Sequence, residues 1–276
     1  MIKRIFSCLL CLLLLMHLAV PVCAKTKKNK KEEEVQKPRL ELRLTTEQGI
    51  LDLVENCRLD SYSKDILVTL ERDLDFSGVE FESIPIFSGT FDGKGHTISG
   101  LSLSADGSAQ GLFRYLTEGA VVQNLHLEGT VRMEGSAAEI GGFAGKNSGT
   151  IRNCSFSGSV SGKEFIGGIA GQNRVSGVIE NCSSFGSISG DHFVGGIAGQ
   201  NYGVIRNCEN KAQINVTPQQ NTVELSDITL QTITNSESVN TVTDIGGIAG
   251  GPSGAAVELL NCDNYGLIKQ TKMCSN

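Results

Sequence analysis

Ile166-Gly-Gly-Ile-Ala-Gly-Gln-Asn173 and Val194-Gly-Gly-Ile-Ala-Gly-Gln-Asn201 are near copies of one another. Each is followed by a second shared block, Gly177-Val-Ile-Glu-Asn-Cys182 in the first case and Gly203-Val-Ile-Arg-Asn-Cys208 in the second. Blocks that recur at a fixed period indicate a repeat architecture, in which each repeat packs only on its neighbours. These copies therefore decide the fold class.

The repeat extends in both directions when the copies are aligned on one asparagine. The aligned residues are Asn124, Asn153, Asn181, Asn207 and Asn261, separated by 29, 28, 26 and 54 residues. Val, Ile or Leu lies two residues before each of them, and Val or Ile lies seven residues after. Short β-branched runs at this period fit one coil of a parallel β-solenoid with three short strands, and the sequence from Ile66 onward contains about six such coils.

The asparagine column and the cysteine column beside it are interpreted as structural ladders. Each Asn amide is expected to bond its equivalent in the next coil. A glycine column five residues later is expected to mark corners, where the chain needs positive φ or close approach. The cysteine column is interpreted as a row of buried free thiols, because Leu125 occupies it in the first copy and the Cβ vectors of stacked residues run parallel. Disulfides and metal binding stay open as alternatives. The predicted ladder residues are Asn153, Asn181, Asn207, Asn261, Cys154, Cys182, Cys208 and Cys262.

The N-terminus has the pattern of a secretory signal over residues 1–24. Lys3 and Arg4 precede an apolar run that is too short to span a membrane comfortably, and Val22-Cys23-Ala24 fits a cleavage site. Acylation of Cys23 is a weaker alternative. Without the signal the net charge falls from −6 to about −8, which argues against a nucleic-acid partner. Residues 25–38 alternate lysine and glutamate runs and are predicted to form a charged linker.

Residues 39–64 are predicted to form an N-terminal cap, and residues 65–276 the solenoid. Within the cap, Thr45 and Thr46 precede a stretch with apolar residues at helical spacing, so a helix is expected over Glu47 to Asn56. Such a helix would cover the first open sheet edge.

Residue patterns that carry enzyme chemistry are missing from the sequence. It contains no His-Glu-x-x-His pair, no Gly-x-Ser-x-Gly turn and no Trp, and the recurrent Gly-Gly-Ile-Ala-Gly lacks the Lys-Ser/Thr of a phosphate loop. Acids on the predicted exposed columns do not repeat on neighbouring coils, as paired catalytic carboxylates or a calcium site would require. We therefore predict a protein that is not an enzyme, with no catalytic residues, no cofactor and no metal site.

Phe91-Asp-Gly-Lys-Gly-His-Thr-Ile-Ser-Gly-Leu101, Gly111-Leu-Phe113 and the repeated Gly-Gly-Ile-Ala-Gly-x-Asn with Asn-Cys resemble GLUG-motif secreted proteins of bacteria. Such motifs occur in adhesins and in the non-catalytic β-helical region of immunoglobulin-A-specific metallopeptidases. The resemblance covers about Ile66 to Ile268. It implies an all-β, right-handed parallel β-helix used as a secreted or cell-surface module. The zinc motif of the peptidases has no counterpart in this sequence, so their activity is not implied.

A secreted or cell-surface binding module is therefore the leading functional hypothesis, with an extracellular protein or glycan as partner. A non-catalytic fragment of a peptidase or polysaccharide-acting β-helix enzyme and a structural spacer are the alternatives. The best candidate contact surface is the insertion over residues 216–243, although a solvated spacer fits its composition equally well. Its named residues are Thr217, Gln219, Asn221, Thr229 and Asn235.

The end of the chain carries a further expectation. No helix or charged strand follows Ile268 in the pattern, so the last coil is expected to be covered by further sequence or by another protomer.

Overall fold

The computed structural model describes residues 39–104, 107–215, 243–252 and 257–268. The predicted signal, the charged linker, almost all of the insertion and the end of the chain lie outside these residues. The described part is a parallel β-solenoid of about six coils with one short helix near its N-terminus, which confirms the predicted fold class. The hand of the coil stays a prediction.

The N-terminal part of the described chain contains the predicted helix. It also contains one strand that was not predicted from the sequence. Strand β1 (Leu40–Leu44) pairs in parallel with β2 (Ile66–Leu70), so the first sheet begins inside the predicted cap. Helix α1 (Glu47–Asn56) has the predicted limits, and the Thr46 side chain caps it by accepting the Gly49 N–H at 3.3 Å. Its buried face packs against β1 and β4 (Ile84–Phe87), the first strand of another sheet.

Four sheets run along the solenoid, and the first two carry the longest described ladders. In spatial order, sheet A contains β1, β2, β5 (Thr90–Asp92), β8 (Val121–Gln123), β12 (Thr150–Arg152), β16 (Val178–Glu180), β20 (Val204–Arg206) and β25 (Glu258–Leu260). Sheet B contains β3 (Leu74–Asp75), β6 (Thr97–Leu103), β9 (His126–Arg132), β13 (Ser155–Ser161), β17 (Ser183–Ser189), β21 (Glu209–Asn210) and β26 (Asp263–Asn264), with β22 (Gln213–Ile214) beside β17.

The other two sheets are shorter. Sheet C contains β4, β7 (Phe113–Leu116), β11 (Ala144–Asn147), β15 (Ala170–Asn173), β19 (Ala198–Asn201) and β24 (Ala249–Pro252). Sheet D contains β10 (Ala138–Gly141), β14 (Glu164–Gly167), β18 (His192–Gly195) and β23 (Thr243–Gly246).

Sheet D adds a fourth strand to the three that the sequence predicts for each coil. In the coils that begin at β10, β14 and β18 the chain passes through sheets D, C, A and B in turn. The paired glycines of the repeat lie where the strand of sheet D ends and the chain turns towards sheet C. They must be glycines because a Cβ on Gly168 would lie 2.4 Å from the carbonyl oxygen of Gly196 in the next coil.

The strand register confirms the columns that were aligned from sequence. Val122, Ile151, Ile179, Ile205 and Leu259 are direct partners in sheet A. All except Leu259 are fully buried; Leu259, on the last described coil, is 46% exposed. The inward columns therefore form a continuous apolar core that becomes open towards the last described coil.

The glycine column does not mark corners, so that part of the prediction is wrong, whereas the close approach predicted at these positions is present, with positive φ at Gly158 and Gly186. Gly129, Gly158 and Gly186 lie inside the seven-residue strands β9, β13 and β17. A Cβ on Gly158 would lie 1.8 Å from the carbonyl oxygen of Gly129. Close stacking of successive coils, not a change of chain direction, is therefore what these positions require.

Candidate binding surface

The predicted asparagine ladder runs along the outside of the solenoid, at the turn between sheets A and B. Asn153, Asn181 and Asn207 have φ of 52° and Asn261 has 50°, the left-handed region that Asn tolerates better than most residues. Each Nδ2 donates to the Oδ1 one coil earlier, at 3.2, 3.1, 3.2 and 3.3 Å along the column. These amides are solvent-exposed, so they align the coils without filling the core.

The cysteine column lies next to this ladder and points inward. Cys154, Cys182 and Cys208 are buried and Cys262 is half-buried, and all four are free thiols in the structure. Each Sγ donates to the carbonyl oxygen two residues earlier, at 3.2–3.3 Å. Burial raises the pKa of the Cys182 thiol, whereas contact with Cys182 together with burial raises that of Cys208. Cys182 and Cys208 are therefore protonated core groups with little nucleophilic character.

A second asparagine ladder was missed from sequence. Asn147, Asn173 and Asn201 are the last residues of β11, β15 and β19, and all three are fully buried. The Nδ2 atoms of Asn147 and Asn173 donate to the Oδ1 of the next coil, both at 2.8 Å. The recurrent Gly-x-Asn of the repeat marks these positions in the sequence. A single sequence, however, does not show whether an asparagine side chain points into the core or out to solvent.

Two phenylalanines occupy an unusual backbone position in sheet D. Phe165 and Phe193 have φ of 56° and 53°, and the same column holds Glu139 and Asp244 at 66° and 59°. The two rings stack with centroids 4.9 Å apart and an interplanar angle of 17°, and both residues remain half-exposed. Bulky residues rarely adopt positive φ, and such a conformation costs on the order of 1–3 kcal/mol. Core packing does not explain why phenylalanine is present here.

The turns that join sheet C to sheet A alternate in length along the axis. Two-residue turns, Ser88–Gly89, Ser148–Gly149 and Tyr202–Gly203, alternate with the four-residue turns Thr117–Ala120 and Arg174–Gly177. The short turn Ser148–Gly149 therefore lies between two longer ones. We call the resulting depression, which has a volume of about 450 Å³, the notch.

Most residues that line the notch are polar or charged, and their charges are unevenly paired. Its lining includes Tyr115, Glu118, Lys146, Ser148, Arg174 and Ser176. Lys146 Nζ is 2.8 Å from Glu139 Oε1, whereas Arg174 makes its side-chain hydrogen bond to a neutral acceptor, Gln172 Oε1, at 3.3 Å. Among the described residues Arg174 has no carboxylate partner, and its side chain is exposed.

One contact in the structure resembles part of a hydrolytic site. His126 Nδ1 lies 2.7 Å from Ser155 Oγ on adjacent strands of sheet B. Within the described ranges no Asp or Glu bonds the His126 ring, as the third member of a catalytic triad would. Nor do three or more His, Cys, Asp or Glu side chains of these ranges lie together as metal ligands.

The predicted contact residues Thr217, Gln219, Asn221, Thr229 and Asn235 lie outside the described residues. The strands on either side of them are described: β22 ends at Ile214 and β23 begins at Thr243. In the two preceding coils the same connection is only two residues long, Gly162–Lys163 and Gly190–Asp191. The insertion therefore takes the place of the two-residue connection between sheets B and D, and its last residue, Thr243, directly precedes Asp244 of the column that contains Phe165 and Phe193.

A parallel β-solenoid with these glycine and asparagine columns is the kind of structure that GLUG-motif proteins are expected to form. The chain matches the family described as "The GLUG motif" over residues 136–161, which confirms the predicted resemblance. This motif and fold fit a surface or secreted repeat module, and repeat regions of this type are typically non-catalytic.

Two known proteins are similar to parts of this chain. Halomucin of Haloquadratum walsbyi is 36% identical over 91 residues, which is 33% of this chain and 1% of that protein's length. A crystal structure from Bacteroides ovatus, of a protein provisionally named an immunoglobulin A1 protease, superposes with a TM-score of 0.58 at 20% identity. That match covers 82% of this chain and 66% of the other, so it supports the shared fold alone. Among the described residues no helix is both long and apolar enough to cross a membrane.

Proposed function

We propose that this chain is a non-catalytic binding module that acts outside the cell. The observation that carries the proposal is the half-exposed, stacked pair Phe165 and Phe193. Aromatic side chains are enriched among the residues that dominate binding interfaces, because they bury a large area at little cost in conformational entropy. A pair that is held in a strained backbone without contributing to the core is best explained by contact with a partner.

Replacing both phenylalanines by asparagine tests this proposal. Asparagine tolerates the left-handed conformation, so Phe165→Asn/Phe193→Asn is expected to leave the melting temperature unchanged or raise it. Binding of the purified chain to an immobilised mucin, a type IV collagen and a glycan array should fall at least about tenfold on the probes it recognises.

The matched control is Phe185→Ala, which removes another exposed phenylalanine, from sheet B, and should leave binding unchanged. A double variant that binds normally, or that melts well below the parent protein, would show that the pair has a structural role. Binding of the parent to none of the probes would favour a spacer instead.

We also propose the insertion as a contact surface. Its residues Thr217, Gln219, Asn221, Thr229 and Asn235 supply amides and hydroxyls suited to a polar ligand. Replacing residues 216–242 by Gly-Asp would reproduce the short connection of the preceding coil. Reduced binding with an unchanged melting temperature is expected, and full retention of binding would eliminate the insertion as a site.

A further inference from the structure

We propose that the notch binds a sugar unit that carries a carboxylate, as uronic and sialic acids do. The proposal rests on the proposed binding function and adds a second site to it. The chain enters sheet C from the strands that contain Phe165 and Phe193, and it leaves sheet C at the turns that form the notch. The proposal is supported by the shape, the charge and the hydrogen-bonding groups of the notch.

The shape of the notch is fixed by the backbone and by the buried asparagine ladder beneath it. Asn147 Oδ1 accepts the Gly149 N–H at 3.1 Å, which closes the short turn. Asn173 Nδ2 donates to the Gly177 carbonyl at 3.2 Å, which holds the longer turn that forms one wall. Ser176 Oγ joins this wall to the floor by donating to the Ser148 carbonyl at 2.9 Å. A site held in this way loses little entropy when a ligand binds.

One cation of the notch remains available to a negatively charged group of a ligand. Glu139 neutralises Lys146, so Arg174 is left as the cation without a carboxylate partner among the described residues. A guanidinium presents several N–H donors in a plane that matches a carboxylate. Glu118 on the opposite wall repels negative charge, so it disfavours a doubly charged phosphate more than a singly charged carboxylate.

The remaining groups suit the hydroxyls of a sugar. Ser148 and Ser176 each offer a hydroxyl, and Glu118 supplies acceptor oxygens. Tyr115 adds an aromatic ring, with Lys146 Nζ 5.9 Å from its centroid. The volume lies within the range of about 300–1,000 Å³ that small-molecule sites occupy. An acidic peptide would use the cation but would leave these hydroxyl-directed groups without partners.

Isothermal titration calorimetry of the purified chain tests the proposal with four probes: trigalacturonate, its methyl ester, sialyllactose and triglutamate. We expect binding of trigalacturonate or sialyllactose, and which of the two is tighter identifies the type of sugar acid. The methyl ester keeps the sugar but not the charge, so it should bind at least about tenfold more weakly. Equal binding of the ester, or triglutamate binding as tightly as the sugars, would overturn the proposal.

Variants then localise the site. Arg174→Gln should weaken binding about tenfold or more. Arg174→Lys should have an affinity between those of Arg174→Gln and the parent protein, because lysine keeps the charge but lacks the planar donors. The matched control Arg152→Gln removes an exposed arginine of sheet A that bonds Gln123, and it should change nothing. Equal effects of Arg174→Gln and Arg152→Gln would overturn the proposal. Because the phenylalanine pair is tested by its own double variant, absence of calorimetric binding of these four probes would overturn the notch proposal and leave the proposed function to that separate test.

Discussion

The two asparagine ladders use the same side chain at the same axial spacing, yet their surroundings are opposite. The inner ladder, Asn147, Asn173 and Asn201, is fully buried, with amide contacts of 2.8 Å. The outer ladder is exposed, with contacts of 3.1–3.3 Å, and its backbone is left-handed. An amide without a partner is costly only where water cannot replace that partner. The inner ladder is therefore expected to determine stability, whereas the outer ladder mainly accommodates a turn.

The largest effect is expected for Asn173→Ala in the inner ladder. It leaves Asn147 Nδ2 and Asn201 Oδ1 without their inter-coil partners in a dry environment, at a cost of about 2–5 kcal/mol. Urea unfolding followed by circular dichroism measures this loss. The same substitution in the outer ladder, Asn181→Ala, is the control, and equal losses at the two positions would contradict the distinction between the ladders.

Raising the pH should weaken the buried region at the end of helix α1, where Cys57 lies, while leaving the amides of both ladders unchanged. Burial raises the pKa of Cys57 from an ordinary value of 9.0 to about 11, so the folded state keeps a proton that the unfolded chain loses. The stabilising contribution of this group is complete below pH 9 and is lost as the pH rises towards 11. Urea midpoints between pH 8 and 11 should fall more steeply for the parent than for Cys57→Ala, whereas parallel slopes would exclude Cys57 as the cause.

Substitutions at Asn181 separate the outer amide from the outer backbone. Asn181→Ala should cost about 1 kcal/mol because alanine is disfavoured at positive φ. Asn181→Gly adopts that conformation freely and should cost less, although it also lacks the amide. Thermal melts of the two variants give the comparison. If glycine is as destabilising as alanine, the stabilisation by Asn181 comes from its exposed amide contacts and not from its tolerance of the left-handed turn.

The smallest effect is expected for the ion pair beside the outer ladder. Arg206 Nε and Nη2 lie 2.8 and 2.6 Å from Glu180 Oε2 at the surface. Arg206→Gln should cost about 0.2–1 kcal/mol, and the loss should shrink as salt screens the pair. Arg152→Gln, in the same column but bonded to Gln123, should show no such salt dependence in denaturant titrations. A salt-independent loss at Arg206 would point to packing by its aliphatic stem.

Most of the fold was predictable because the repeat constrains every coil in the same way. The limits of α1, the inward Val/Ile/Leu column and the outer asparagine column all followed from spacing. The fourth strand did not, because the four-residue strands of sheet D carry no alternation of their own. The glycine column was misplaced because sequence alone does not separate a glycine needed for a bend from one such as Gly158, which is needed for close stacking.

The candidate sites were much less predictable, since they arise where the repeat varies. Phe165 and Phe193 fall in the repeat beside the Ile and Val of the core, and their positive φ and exposure are visible only in three dimensions. Arg174 belongs to a turn whose length matters only relative to the turns of the neighbouring coils. Periodicity identifies the residues that all coils share, but it does not identify the features that occur in one coil only.

The alternation of turn lengths gives the surface a repeat of two coils, although the core repeats with every coil. Adding two coils to such a solenoid would preserve the alternation and create an identical depression about 10 Å away, whereas adding one coil would place two turns of the same length together. Ligands that carry several copies of one group would then bind with avidity set by this spacing, because the second contact becomes intramolecular. The number of coils is therefore a way to adjust valency without altering any residue that touches the ligand.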